Sequence, residues 1–220
     1  MVAAASITGG PYFGAARVHT ALLRDGIMDP EHGAVEAWYR QESDPVPYSH
    51  NPHRIFGGPY SLVGIDEVNL YSQDAVDSGD PRLHFALFLG VEPPPYTPPH
   101  LVAARSLADG GDGVPISQYN GQWIHVAGVW DRSGIAGSAD TIRLYVNGVQ
   151  VGSQARTGAI ATSNAALQIG GDSLFGQYFA GMIDEVRIYN GALTAAQIQA
   201  DMATPVATGT GSSDTQPPSA

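Results

Sequence analysis

The sequence predicts an all-β fold with one short C-terminal helix. The 220 residues include 27 Gly and 16 Pro but only 14% charged residues, which suits short strands joined by tight turns. Several segments alternate in side-chain character with the two-residue period of a strand. A helical period occurs only in "LTAAQIQADM", near the end. A chain of this length can form a single large β domain.

The first half of the chain contains several segments typical of strands. They are "ARVHTALL", "GAVEAWYRQ", "RLHFALFLG" and "HLVAARS". The proline-rich stretch "EPPPYTPPH" lies between the last two and cannot occupy a sheet interior, because proline donates no hydrogen bond to a neighbouring strand. We therefore expect an extended connection there.

The second half contains the clearest strand signals. Both alternating faces of "GQWIHVAGVWD" are largely apolar, which predicts an inner strand with Trp123 and Trp130 in the core. In "DTIRLYVNGVQVGS" the Asn147-Gly148 dipeptide predicts a two-residue hairpin turn. That turn would pair Val146 with Val149 and Leu144 with Val151 on one core-facing side. "ALQIGG" is a further predicted strand.

The helix and the chain ends define the expected domain. Thr194 can cap the helix, and Gln197, three residues later, can complete a capping box. The tail "TPVATGTGSSDTQPPSA" is small, polar and proline-rich, as linkers are. We expect an N-terminal extension (1–10), one sandwich domain (11–204) and a flexible linker (205–220) to a further domain of a longer, secreted protein.

Composition excludes several kinds of chemistry. The chain has no cysteine, and its ten basic residues are all arginine, so disulfides, thiolate metal sites and lysine Schiff bases are excluded. The net charge of −11 argues against nucleic acid and anionic membranes as partners. No window approaches the roughly 20 apolar residues of a membrane span, so we expect no membrane insertion.

One stretch occurs twice: "YSLVGIDEVNLY" at 60–71 and "YFAGMIDEVRIY" at 178–189. Retaining glycosidases need two carboxyl groups about 5 Å apart on one face. In a regular strand, neighbouring residues point to opposite faces, so neither copy presents such a pair. Asp184 is expected to share the core face with Val186 and Ile188, and Glu185 to form a surface pair with Arg187.

From Trp123 to Met202 the motifs "WIHVAGVWD", "IRLYVNG", "ALQIGG" and "FAGMIDEVRIYNGALTAAQI" follow one another. This order resembles the laminin-G-like, concanavalin A-like domains of bacterial secreted proteins. The resemblance implies a two-sheet antiparallel β-sandwich of the jelly-roll type, which serves as an extracellular or cell-surface accessory module. Such a module binds a polysaccharide, a cell-surface glycan or a protein, and often holds a structural calcium ion at its rim.

The resemblance implies a metal-ligand role for Asp184, whose counterpart in the family can help to hold calcium. Asp25 or Asp29 could supply further ligands, since calcium takes 6 to 8 oxygens. The alternative is structural: Asp184 accepts backbone N–H bonds where its strand begins. Both interpretations remain open at the level of sequence.

Glycan binding by such a module depends on exposed aromatic rings and a few polar groups. The candidates in Gly, Pro or Asn-rich segments are Tyr48, Tyr60, Tyr96, Tyr119 and Tyr178. Each ring could instead anchor its own loop. Two other functions stay open: a structural or protein-interaction module without a sugar site, and a divergent glycoside hydrolase or lyase. We expect no enzyme activity, because Gly33 replaces the aspartate expected between Glu31 and Glu36.

Overall fold

A computed structural model of the protein describes part of the chain. The backbone is described for residues 2–5, 16–18, 31–41, 53–57, 68–74, 81–91, 101–106, 114–115, 117–155, 167–172, 177–178 and 181–205. The surroundings of side chains are described for residues 31–41, 118–155, 169–170 and 181–205.

The described elements are strands, two short 3-10 helices and one α-helix. The strands are β1 (Val2–Ala5), β2 (Ala16–Val18), β3 (His32–Gln41), β4 (His53–Gly57), β5 (Val68–Asp74), β6 (Pro81–Val91), β7 (Leu101–Ser106), β8 (Val114–Pro115), β9 (Trp123–Asp131), β10 (Ile142–Val146), β11 (Val149–Gln154), β12 (Leu167–Ile169), β13 (Gly171–Asp172), β14 (Gln177–Tyr178) and β15 (Gly181–Tyr189). The 3-10 helices are Ser117–Tyr119 and Ile135–Gly137, and the α-helix, α1, is Ala195–Met202.

The strands form antiparallel sheets. One six-stranded sheet has the order β1-β15-β3-β9-β10-β11. A second sheet has the order β2-β12-β4-β5-β6-β7, with β8 beside β6, and β13 pairs with β14. Strands of the two large sheets contact each other, since β10 lies against β6 and β7 and β11 lies against β7. The predicted antiparallel all-β class with one short helix is confirmed.

Apolar side chains cover both faces of the six-stranded sheet. On one face Ala34, Ala127 and Tyr145 pack with Leu193 and Ile198 of the helical segment. We call this the helix face. The opposite face carries a second set of buried apolar residues, which are Val35, Ala37, Tyr39, Ile124, Val126, Trp130, Ile142, Leu144, Val146 and Ile188. The predicted position of β9 inside a sheet is confirmed, and every residue from Ile124 to Trp130 is buried.

The hairpin between β10 and β11 agrees with the sequence prediction at its tip only. Val146 pairs with Val149, as predicted, and Asn147 and Gly148 both have positive φ, 48° and 73°. Leu144 pairs with Gly152 rather than with Val151, because a bulge shifts the register between Leu144 and Tyr145. The predicted second pair is therefore wrong. Val149 is not a core residue either, since 62% of it is exposed.

Other sequence predictions have mixed outcomes. The capping box between Thr194 and Gln197 is present at the start of α1. Trp130 is fully buried, as predicted, but Trp123 is only half-buried.

The strand β1, which pairs with β15, lies in the segment that the sequence indicated as an N-terminal extension. In the described part of the chain, no helix is long and apolar enough to cross a membrane.

Candidate functional site

A β-bulge in β15 determines where the charged residues of this strand lie. Asp184 pairs with Trp38 of β3, and Arg187 pairs with Glu36, with a register shift between the two pairs. Trp38 and Glu36 are two residues apart and share the helix face, so Asp184 and Arg187 share it too. Glu185 adopts a φ of 51°, which a bulge residue can take at some conformational cost.

The bulge overturns the predicted faces of β15. Ile188 pairs with Val35 on the opposite face of the sheet, so Asp184 does not share a face with Ile188. The predicted pair of Glu185 and Arg187 does form, with Oε2 and Nη2 3.0 Å apart. It is not a surface pair, because the two side chains are only 3% and 8% exposed.

Asp184 acts as a hydrogen-bond acceptor at the bulge. It is 7% exposed, and its Oδ1 accepts the backbone N–H of Glu185 at 2.8 Å. This is a backbone N–H bond of the kind that the structural interpretation predicts, but it lies at the bulge inside β15 and not where the strand begins. Among the described residues, no group of three or more His, Asp or Glu side chains is arranged to hold a metal. Asp25 and Asp29 lie outside the described residues, so their role as ligands stays a prediction.

Arg187 is the centre of a buried polar network on the helix face. Its Nη1 lies 3.5 Å from Glu36 Oε1, and its Nη2 lies 3.0 Å from Glu185 Oε2. Nη2 also donates to the carbonyl oxygen of Thr204, which follows α1. One guanidinium thus joins β3, the bulge of β15 and the segment after the helix.

Tyr189 extends this network to the helix itself. Its hydroxyl donates to Asp201 Oδ2 at 2.8 Å and lies 3.4 Å from Glu36 Oε1. Burial raises the pKa of Tyr189, and the nearby Glu36 and Asp201 carboxyl groups raise it further. The phenol therefore keeps its proton and can act as the donor to Asp201.

Glu36 is a carboxyl group held largely in its neutral form. Its side chain is fully buried. Burial raises the pKa of Glu36 from 4.5 to about 8, Asp201 adds to the increase, and Arg187 opposes it. Desolvation dominates here because a charge loses more hydration energy on burial than the two long contacts, to Arg187 and Tyr189, restore.

His125 is the neutral neighbour of Glu36. Burial lowers the pKa of His125 from 6.5 to about 3, and the positive charge of Arg187 lowers it further. Its Nε2 lies 3.8 Å from Glu36 Oε2, and its ring meets that of Trp38 edge-on with centroids 5.4 Å apart. Since both groups are mainly uncharged near neutral pH, the contact between Glu36 and His125 is not an ion pair.

The network is unsuited to catalysis on a sugar. Glu36 and Glu185 both face Arg187, and their side chains are 0% and 3% exposed. A glycosidase needs both carboxyl groups to reach the substrate. Glu36 Oε2 and both ring nitrogens of His125 are buried atoms without a hydrogen-bond partner. Each such atom lowers the stability of the fold, because it gave up its hydrogen bond to water without gaining another.

Of the five tyrosines predicted to contact a sugar, Tyr119 is the one whose side-chain surroundings the structure describes. It ends a 3-10 helix and begins a tight turn, in which Gln122 N donates to Tyr119 O at 2.8 Å. The turn is fixed to β3, because Gly121 N donates to Gln41 O at 2.8 Å and Gln41 Nε2 donates to Asn120 Oδ1 at 3.2 Å. Tyr119 is half-buried, so its ring serves partly as an anchor.

The remaining predicted contacts fall outside this region. Tyr178 lies in β14 opposite Gly171, and only its backbone is described. Tyr48, Tyr60 and Tyr96 lie outside the described residues. Nothing described brings these aromatic residues together, and their roles stay predictions.

Sequence reasoning gave no functional role to Glu36 and His125. Each is a polar residue inside a largely apolar strand, and that pattern is the signal that could have found them. Their proximity depends on the register between β3 and β9, which pairs Trp38 with His125 and Glu36 with Ala127. Register between distant strands is not visible in a single sequence.

Solved structures share the fold of this chain. One is domain 4 of AbnA, a GH43 extracellular arabinanase from Geobacillus stearothermophilus, in complex with arabinotriose, with 21% identity, a TM-score of 0.55, and coverage of 91% of this chain and 81% of that one. Another is the Ruminococcus gnavus IT-sialidase CBM40, with 14% identity, a TM-score of 0.59, and coverage of 91% and 98%. At these identities the likeness concerns the fold.

Sequence comparison gives a narrower result. The search of curated proteins found no match to the chain. Residues 96–199 match the family model of the concanavalin A-like lectin/glucanases superfamily. The matched segment contains the strands from β7 to β15 together with the first part of α1. Residues 96–199, somewhat less than half of the chain, are therefore similar to the laminin-G-like domains of the concanavalin A-like lectin/glucanase superfamily.

Proposed function

We propose that the chain is a non-catalytic carbohydrate-binding module of a secreted, multi-domain protein. The observation that carries this proposal is the fold shared over 91% of the chain with two modules of sugar-processing proteins. One of them was solved with arabinotriose, and the other is named as a carbohydrate-binding module. Fold alone does not determine function, so the site must supply the rest.

The buried network supports the non-catalytic part of the proposal. The carboxyl groups of Glu36 and Glu185 both face Arg187 and are almost fully buried, and Arg187 also donates to Thr204 O in the segment after α1. Catalysis would require one exposed carboxyl as an acid and another as a nucleophile or base. A binding module needs neither group and can use both to hold its own structure.

We propose in addition that the chain can bind a structural calcium ion. This proposal can be tested independently of sugar binding. Asp184 already accepts a backbone N–H, so a calcium site there would need most of its oxygens from elsewhere. Asp25 and Asp29 are the proposed sources. We expect calcium to raise the melting temperature if those residues complete a site, and Asp25→Asn with Asp29→Asn to remove that increase.

The proposal is tested by binding to immobilised glycans, with and without calcium. We expect saturable binding to at least one polysaccharide and no release of reducing sugar from it. Flat responses across a broad array, measured on protein that melts cooperatively, would contradict sugar binding. Sugar release that is lost on substitution of a carboxylate would contradict the non-catalytic role.

A further inference from the structure

The chain contains three Asn-Gly dipeptides, all within the part that the structure describes. They are Asn120-Gly121, Asn147-Gly148 and Asn190-Gly191. An asparagine before glycine can lose its side-chain amide to water, because glycine has no Cβ to shield its backbone nitrogen from the side-chain carbonyl carbon. The nitrogen and the carbon must meet for this reaction to start. Contacts that hold the two groups in place slow it, since the reaction then waits for a local opening of the structure.

The dipeptide at the hairpin tip is held on both of its residues. Asn147 Oδ1 accepts the backbone N–H of His125 at 2.9 Å, which bonds the side chain to β9. Gly148 is buried, and its carbonyl oxygen accepts from Gln199 Nε2 of α1 at 3.2 Å. The Asn147 side chain must leave His125 before its carbonyl carbon can reach Gly148 N.

The dipeptide before β9 is held by a single residue of β3. Gly121 N donates to Gln41 O at 2.8 Å, and Asn120 Oδ1 accepts from Gln41 Nε2 at 3.2 Å. Gln41 therefore bonds both reacting groups. Both hydrogen bonds must break before the nitrogen can attack the carbonyl carbon.

The dipeptide between β15 and α1 has neither kind of restraint. Asn190 is exposed and follows the last residue of β15. Within residues 181–205, hydrogen bonds hold Tyr189 and Thr194 on either side, but none holds the Asn190 side chain or the Gly191 N–H. A Cβ built on Gly191 would meet no atom within 4 Å beyond its chain neighbours. The two reacting groups can therefore meet without the loss of a native contact.

We propose that Asn190 is a site of spontaneous deamidation, and that it is the asparagine of the three that reacts in the folded protein. The deprotonated Gly191 N attacks Cγ of Asn190 and forms a new C–N bond. The bond from Cγ to the amide nitrogen breaks, and this nitrogen leaves as ammonia with the proton that Gly191 N lost. Water then opens the succinimide ring and leaves aspartate or isoaspartate at this position.

The modification changes the connection between β15 and α1. Either product adds a negative charge there to a chain whose net charge is already −11. Isoaspartate also lengthens the main chain, because the backbone then runs through the former side chain. This inference does not depend on sugar binding.

One incubation compares the three sites, because cleavage after arginine places them in separate peptides, 106–132, 144–156 and 188–220. The folded protein is kept at mildly alkaline pH, and mass spectrometry with fragment spectra follows the exchange of amide for acid in each peptide. A parallel incubation in guanidinium chloride gives the rates without the fold. Gly191→Ala is the test variant, since its Cβ shields the nitrogen and has open space around it.

We expect Asn190 in the folded protein to react at least about tenfold faster than Asn120 and Asn147, equivalent to about 1.4 kcal/mol in activation free energy. In guanidinium chloride the three rates should converge. Gly191→Ala should slow the reaction of Asn190 and leave the other two unchanged. Equal rates at the three sites in the folded protein, or a faster reaction at Asn120 or Asn147, would overturn the proposal. It would also be overturned if Asn190 reacted in guanidinium chloride but not in the folded protein.

Discussion

At the scale of single residues, Arg187 shows how a buried charge can be tolerated on a sheet face. It faces Glu185 at 3.0 Å and Glu36 at 3.5 Å and donates to Thr204 O. Because Glu36 is held mainly neutral, Glu185 is the carboxylate that compensates the guanidinium most directly. The network therefore depends on a single arginine that bonds to three parts of the chain.

Replacing this arginine should be costly. Arg187→Met keeps a long apolar stem but leaves the Glu185 carboxylate buried without its cation. We expect the free energy of unfolding to fall by roughly 3 kcal/mol, as for other broken buried pairs. Chemical denaturation measures this change.

Arg132→Met is the matched control. Arg132 pairs with Glu31 at 2.5 Å, but the two side chains are 33% and 56% exposed. Its loss should cost less than about 1 kcal/mol. Equal effects of the two substitutions would show that Arg187 does not hold a buried network.

The location of Asp184 marks a limit of sequence reasoning at this scale. Strict two-residue alternation placed it with Val186 and Ile188, but one inserted residue in the bulge moved it to the helix face. Bulges depend on a partner strand that lies far away in sequence. The chemistry of Asp184 as a backbone acceptor was predictable from its type, whereas its neighbours were not.

At the scale of elements, α1 is held at its start by Thr194. The Thr194 hydroxyl accepts from Gln197 N, and the Gln197 side chain accepts from Thr194 N at 2.9 Å. Thr194→Ala should lower the stability by about 1 kcal/mol, the usual value of such a cap. Thr194→Ser, which retains the hydroxyl, should stay close to wild type. Amide hydrogen exchange in residues 195–202 would locate the loss, and equal protection in both variants would contradict the cap.

The contact between α1 and the hairpin tip can be tested with two glycines. Gly148 and Gly121 have nearly equal φ, 73° and 74°. A Cβ on Gly148 would lie 2.7 Å from Gln199 Cγ and 3.1 Å from Met202 Sδ, whereas Gly121 has open space. Gly121→Ala should therefore cost about 1 kcal/mol, the backbone term alone. Gly148→Ala should cost clearly more in thermal unfolding, and equal costs would show that the helix does not press on the tip.

The elements that the sequence predicted correctly carry local signals. The Asn-Gly turn, the capping box and the apolar run of β9 depend on residues close together in the chain. Leu144 and Val151 were mispaired because the bulge after Leu144 has no such local signal. The same reason explains why the partners of Glu36 and Arg187, 151 residues apart, were found only in the structure.

At the scale of the whole molecule, Glu36 and His125 give stability a specific dependence on pH. The pKa of Glu36 rises from 4.5 to about 8 on folding, so its contribution is complete below pH 4.5 and lost as the pH rises through 8. The pKa of His125 falls from 6.5 to about 3, so its contribution is complete above pH 6.5 and lost as the pH falls through 3. The other groups facing this pair are Arg187, Tyr189 and Asp201.

Because the two contributions oppose each other between pH 4.5 and 6.5, we expect stability to rise from pH 3 to 4.5, stay level, and fall from 6.5 to 8. Each slope can reach about 1.4 kcal/mol per pH unit. Glu36→Gln should abolish the fall above pH 6.5, and His125→Phe the rise from acid pH, whatever their effects on absolute stability. Exposed Glu31→Gln should leave both slopes unchanged. Denaturant titrations at each pH measure the profile. A Glu36→Gln profile parallel to that of the wild type would show that folding does not change the pKa of Glu36.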